Sequence, residues 1–287
     1  MILYLSRLGL TLLASATIAS IAWETLGQIL PTGDVLRLAR AIELNAIHRQ
    51  GFFDRDRAFD GSIWMDPAVL ASVARSPALR SSADDCLADP SRAAMAVQLG
   101  LLDQGLLSEA SDRQLRSLVS SADRSVAQRL KCAPTDGNAW LIHAHLAELK
   151  SKDLATVTRA LDLSYLYASS EKWVMLPRLR FVGYLIDVKR IAVPPGYGLD
   201  LERFIEFSRP NEIAGLYADG GEATRGLMRT LIDGLRLDRR VQVLRHIDAL
   251  GVSYPVPAAC RSTVSHGLPG AELELRRPAD LIAACAN

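Results

Sequence analysis

CAPTDGNAWL spans Cys132–Leu141. Proline cannot continue a helical hydrogen-bond ladder, so Pro134 stops whatever helix precedes it. Thr135 or Asp136 then offers a side-chain oxygen to the open amides of a following helix. Gly137 and Asn138 stand at that helix's start, and Trp140 lies in its first turn. The stretch reads as a joint between two helices, with its polar residues serving as a cap. That reading decides the fold, because similar joints flank it on both sides.

Upstream, from Ser111, the residues Leu115, Leu118, Val119, Ala122, Val126 and Leu130 follow three-and-four spacing, one face of a long amphipathic helix. Asp66-Pro67 and Asp89-Pro90 each set an N-cap residue before a proline suited to the first helical position. Downstream, Trp140, Ala144 and Ala147 share a face. Leu154, Val157, Leu161 and Tyr165 mark a further helix. Trp173, Leu176, Leu179, Val182 and Leu185 mark another, with Pro177 in its first turn or at a kink. The Pro- and Gly-rich AVPPGYGLD (192–200) reads as the clearest loop. Helices are predicted near 200–208, 211–218, 222–236 and 238–250, the last closed by Gly251. The end of the chain, with Pro255, Pro257, Pro269 and Pro278, reads as an irregular tail. No strand alternation stands out, so the predicted class is all-α.

Composition agrees. Aromatic residues make up only 6% of the 287, which disfavours a sheet. Hydrophobic residues at 49% supply a sizeable core. The 33 basic residues balance 32 acidic ones, which argues against a nucleic-acid partner.

The N-terminus carries the compartment signal. Leu8 to Trp23 (LGLTLLASATIASIAW) holds no charge, with Arg7 before it and Glu24 after it. As a helix it spans roughly 24 Å, and Arg7 can snorkel outward from the ~30 Å hydrocarbon core. A single transmembrane anchor is the favoured reading. A cleaved signal peptide, with a site at Ala14-Ser15-Ala16, and a buried soluble helix are the rivals. Positive charge before the segment places the bulk of the chain in the periplasm, outside the cytoplasm. Cys86, Cys132, Cys260 and Cys285 lack metal-site spacing. An oxidising compartment allows two disulfides among them. Nearest-neighbour pairing gives Cys86–Cys132 and Cys260–Cys285, one of three connectivities; four buried thiols are the alternative. The expected organisation is an anchor over 1–30, a repeat-like helical domain over 31–191 and a helical extension over 199–287.

Pro134 and Trp140 stand six residues apart, as the last Pro of one tetratricopeptide repeat and the Trp of the next do. AQRLKCAP upstream and Arg159-Ala160-Leu161-Asp162-Leu163-Ser164 downstream are similar to that family's helix endings, and a new Trp follows at 173. Residues 110–190 thus resemble a degenerate tetratricopeptide-like array of helical hairpins. Two departures stand out. The second repeat is about three residues short of the consensus, and His143 replaces a Leu. The anchor, the Cys132–Leu141 block and the E-x-W-V-x-L-P-R-L-R-F block at Glu171–Phe181 together resemble small anchored helical-repeat proteins that accompany bacterial exopolysaccharide synthesis and export. The resemblance implies a periplasm-facing scaffold at the inner membrane with protein partners in that machinery, no catalyst and no cofactor.

Residue chemistry alone offers little. His143 and His145, two apart on a helix, point in different directions and cannot share a metal, so no metal site is expected. His48 lacks an assembled nucleophile. Asp54-Arg55-Asp56-Arg57 lacks the Gly and final Glu of a calcium loop. Gly196-Tyr197-Gly198 lacks a third Gly and a preceding strand. Gly220-Gly221 lacks the Lys-Ser/Thr of a P-loop. Trp140 and Trp173 with Arg178 and Arg180, and with Lys189 and Arg190 beyond them, would suit a groove for an anionic sugar polymer or acidic peptide, through stacking and bidentate pairing. Ordinary packing is the plainer account of them. The alternatives to a scaffold are a polysaccharide-modifying enzyme and a single-helix subunit of a membrane complex, the latter using Ala14, Ser15, Ala19 and Ser20 for close helix packing.

Overall fold

A computed structural model describes residues 67–75, 84, 86, 88–107 and 110–255. All regular structure among them is helical: α1 (Pro67–Ala74), α2 (Ala88–Leu107), α3 (Asp112–Cys132), α4 (Gly137–Leu149), α5 (Leu154–Tyr167), α6 (Lys172–Lys189), α7 (Pro195–Phe207), α8 (Pro210–Asp219), α9 (Glu222–Asp233) and α10 (Leu237–Ala249). The all-α class holds. The N-terminal anchor segment, Cys260, Cys285 and the tail beyond Pro255 lie outside the described residues. Among the described residues no helix is long and apolar enough to cross a membrane.

The described residues group into two compact units that divide at Val157 and Thr158. α6 and α7, which flank the 192–199 loop, pack on each other within one unit. The loop itself is shorter than predicted. Pro195 is the first residue of α7, where its missing N–H costs nothing and its fixed φ suits a helix.

In the first unit, α2 is sandwiched. Ala93, Ala96 and Val97 meet Leu70 of α1. Met95 and Leu102 meet Val119, Ala122, Val126 and Leu130 of α3, with Ala139 and Leu146 of α4. The small alanines let α1 approach closely, and each fully buried Val or Leu contributes about 1.5–3 kcal/mol. A capping box starts α3: Gln114 N–H donates to Ser111 Oγ, and Ser111 N–H donates to Gln114 Oε1 at 3.2 Å.

In the second unit, α6 is the central helix. Val174, Met175, Leu176, Leu179, Phe181, Val182, Leu185 and Ile186 are all buried, so apolar contact surrounds most of its circumference. The predicted face Leu176, Leu179, Val182 and Leu185 is buried, but Trp173 is 48% exposed at the helix's first turn. Pro177 sits beyond that turn, inside the helix. α6 ends on Arg190 in the left-handed region, φ 57°. Gly251 (φ 69°) follows α10 as predicted.

Arginines close several helix ends in this unit by donating to carbonyls that the helix itself leaves open. Arg225 donates to Tyr217 O and Ala218 O at the end of α8. Arg239 donates to Ile205 O, Glu206 O and Ser208 O at the end of α7. Start positions use acids. Asp187 of α6 accepts from Gly221 N and Ala223 N, both at 2.9 Å, and from Thr224 Oγ1 at 2.6 Å, at the start of α9. Burial would raise the Asp187 carboxyl. The Thr224, Ala223 and Gly221 donors outweigh it and hold the group below its ordinary range.

Candidate functional site

The joint quoted above is built as a cap and a staple. Asp136, not Thr135, is the N-cap of α4, and its Oδ1 accepts from Ala139 N at 3.0 Å. Its Oδ2 accepts from Arg129 Nε at 2.8 Å. Arg129 lies on the last turn of α3 and is 6% exposed. Its Nη1 also donates to Ala88 O at 3.0 Å and to Ser91 Oγ at 2.9 Å, at the start of α2. One guanidinium therefore holds the beginnings of α2 and α4 to the end of α3. Three residues on, Cys132 closes the same corner through a disulfide to Cys86, with 5.0 Å between the Cα atoms. The sequence offered this pairing as one of three connectivities. The Arg129–Asp136 pair it missed, although a basic residue in a helix's last turn facing the next helix's N-cap was the available signal.

Trp140 is half-buried, and its Nε1 donates to Pro134 O at 2.7 Å, folding the joint back on itself. The edge of His143 meets it at 5.9 Å. His143 Nδ1 stands 3.8 Å from Asp123 Oδ1, beyond hydrogen-bond length, while Asp123 Oδ2 accepts from Lys150 Nζ at 2.5 Å. With its carboxylate held by Lys150, Asp123 does not orient the imidazole as a catalytic acid would. His145 belongs to the same helix, and burial pushes its imidazole down to about 4. Below the ordinary 6.5 the unfolded chain binds a proton that the folded one resists. Stability is therefore lost as pH falls from 6.5 toward 4. Urea unfolding at pH 7 and pH 5 should show that loss, and His145→Gln should flatten it. An equal loss in the variant would remove the assignment.

The four residues proposed for an anionic groove separate. Trp140 lies in the first unit, and Trp173, Arg178 and Arg180 lie in the second. Arg178 is a correction: it is 0% exposed and cannot line a groove. Its Nε donates to Asp200 Oδ2 at 2.7 Å, Nη1 to Ser164 O and Oγ, and Nη2 to Ala168 O, where it closes the end of α5. Its guanidinium lies 4.4 Å from the Tyr165 ring centroid. Arg180 reaches the surface and pairs with Asp219 at 2.8 Å. Trp173 is exposed on the same helix.

Gly196, the first glycine of the Gly-Tyr-Gly stretch, serves packing. A Cβ there would fall 2.7–2.8 Å from Cγ, Cδ1 and Cδ2 of Tyr165. Gly196→Ala is expected to destabilise by about 1–3 kcal/mol, because the ring must move off Arg178. A thermal melt unchanged within error would sink that account. Among the described residues no group of three His, Cys, Asp or Glu is placed to hold a metal ion. No protein-family model, curated protein or solved structure matches the chain.

Proposed function

We propose that the chain is a membrane-anchored, periplasm-facing scaffold of tetratricopeptide-like helical hairpins, working through protein partners. The Cys86–Cys132 disulfide carries the reading, because such bonds persist in oxidising compartments and are rare in a reducing cytosol. The uncharged Leu8–Trp23 stretch, preceded by Arg7, supports an anchor with the following chain outside the cytoplasm. The interhelical arginines Arg129, Arg178 and Arg239 support a rigid support surface over a mobile lid, since their donors are spent on holding helix ends together.

Service to a polysaccharide synthesis or export machine is the finer reading. It rests on the Cys132–Leu141 and Glu171–Phe181 sequence blocks. Alkaline phosphatase and a fluorescent protein, each fused at the C-terminus, test the topology. Phosphatase activity with a dark fluorescent fusion is expected, and the reverse pattern overturns the placement. Crosslinking from membranes should then recover polysaccharide-assembly proteins, and deletion of the gene should reduce exported polymer. Unchanged export removes the finer reading and leaves the topology standing.

A further inference from the structure

Between its ends, α6 opens to solvent along one line. Trp173, Pro177, Arg180, Tyr184 and Val188 are spaced by four, three, four and four, so they share a single face of the helix. The stripe runs about 22 Å along the axis. Trp173 is 48% exposed, Tyr184 41% and Val188 61%. Together they leave roughly 300 Å² of side chain in water, most of it apolar. The outer face of a helix that meets only solvent carries charged and polar residues. Here the stripe carries one charge in five positions.

The charges select the occupant. Arg180 pairs at 2.8 Å with Asp219 at the end of α8, so the middle of the stripe is neutral. Asp219 is about half exposed and takes no other partner among the described residues. Glu171, the N-cap of α6, and Arg190, its C-cap, are both exposed. Neither side chain has a partner among the described residues. A matching surface must therefore set a base against Glu171 and an acid against Arg190. A second α6, turned end for end, has that order. About a two-fold axis near Arg180, Glu171 meets Arg190 of the second copy, Trp173 meets Val188, and Pro177 meets Tyr184. The axis then carries two Arg180–Asp219 pairs, where each carboxylate can bridge both guanidiniums. Parallel pairing would set Glu171 on Glu171 and Arg190 on Arg190, and like charges disfavour it.

We infer that this stripe docks on its own copy in a second chain, with the two α6 helices antiparallel, to form a homodimer. A standard interface takes about 800 Å² from each partner. The stripe supplies the apolar centre of such an interface and less than the whole, so the pairing belongs to the weak class, with a Kd of roughly 1–100 µM. The inference goes beyond the scaffold reading and does not rest on its topology, because it uses residues of the second unit alone.

Sedimentation equilibrium of the full chain in density-matched detergent, at low salt and over a range of concentrations, reads the association. A monomer–dimer equilibrium is expected. Val188→Arg should weaken it at least about tenfold, by setting a charge against Trp173 of the other copy. Arg190→Glu should weaken it by about as much, because it sets like charges together at both ends. Glu171→Arg combined with Arg190→Glu should restore the parent's affinity. Phe207→Glu, on α7 away from the stripe, should match the parent. Thermal melts confirm that each variant is folded. A single-chain mass throughout, or a dimer that Val188→Arg and Arg190→Glu leave unchanged, overturns the interface. Equal weakening by Phe207→Glu also overturns it. A charge-swapped double variant no better than Arg190→Glu alone overturns the antiparallel pairing.

Discussion

Asp200→Ala is expected to lower the free energy of unfolding by about 3–5 kcal/mol, the usual cost of leaving one member of a buried ion pair alone. Arg178 is 0% exposed and cannot shed its proton, so its charge stays when the carboxylate goes. Its remaining partners, Ser164 O, Ser164 Oγ and Ala168 O, are dipoles and do not neutralise it. The pair itself is not a strong net stabiliser. Burial pushes the Asp200 carboxyl up despite the hydrogen bond and charge of Arg178, so desolvation outweighs the attraction there. It follows that removing both charges should cost less than removing one. Arg178→Met with Asp200→Leu should recover much of the loss seen in Asp200→Ala, although the open carbonyls of α5 keep it below the parent. Denaturant unfolding of the three proteins measures this. A single variant within about 1 kcal/mol of the parent, or a double variant no better than the single, would show that the guanidinium is solvated on opening.

The helices were legible because their signals are local. Asp136, Ser111 and Gly251 announce helix ends by their own side chains or backbone freedom, and the Leu115–Leu130 stripe announces its face by spacing. Arg178 and Arg180 show where such signals mislead. In sequence they are two similar cations two residues apart beside a tryptophan. On a helix two residues subtend about 200°, so the two face almost opposite ways. Arg178 falls on the line of Val174, Val182 and Leu185, all 0–1% exposed, and must turn inward. That line was present in the sequence. What was absent was Asp200, 22 residues away, whose carboxylate makes burial tolerable. Trp173 misled in the other direction: it continues the apolar spacing of α6, yet it is 48% exposed while Val174 beside it is fully buried.

Reducing the Cys86–Cys132 disulfide is expected to lower stability by about 4 kcal/mol. The bond closes a segment of 46 residues, and loop-closure entropy of that length gives this figure in the chain-entropy account. Natural domains are stable by only about 5–15 kcal/mol, so the loss is a large share of the total. Arg129 tempers it locally. Its bonds to Ala88 O, Ser91 Oγ and Asp136 hold the same corner without the covalent link, so the corner should stay folded at low denaturant. Arg129→Met should then be tolerated in the oxidised chain and much more damaging in the reduced one, a coupling of about 1 kcal/mol or more. Guanidinium unfolding of both proteins with and without dithiothreitol measures all four corners of that cycle. The Cys86→Ser, Cys132→Ser double variant should reproduce the reduced parent, and non-reducing peptide mapping should recover the two cysteines joined. A midpoint unmoved by reduction would mean that the non-covalent corner alone fixes α2 on α3. The disulfide would then cease to be an argument for an oxidising compartment, and the proposed periplasmic placement would rest on the N-terminal sequence alone.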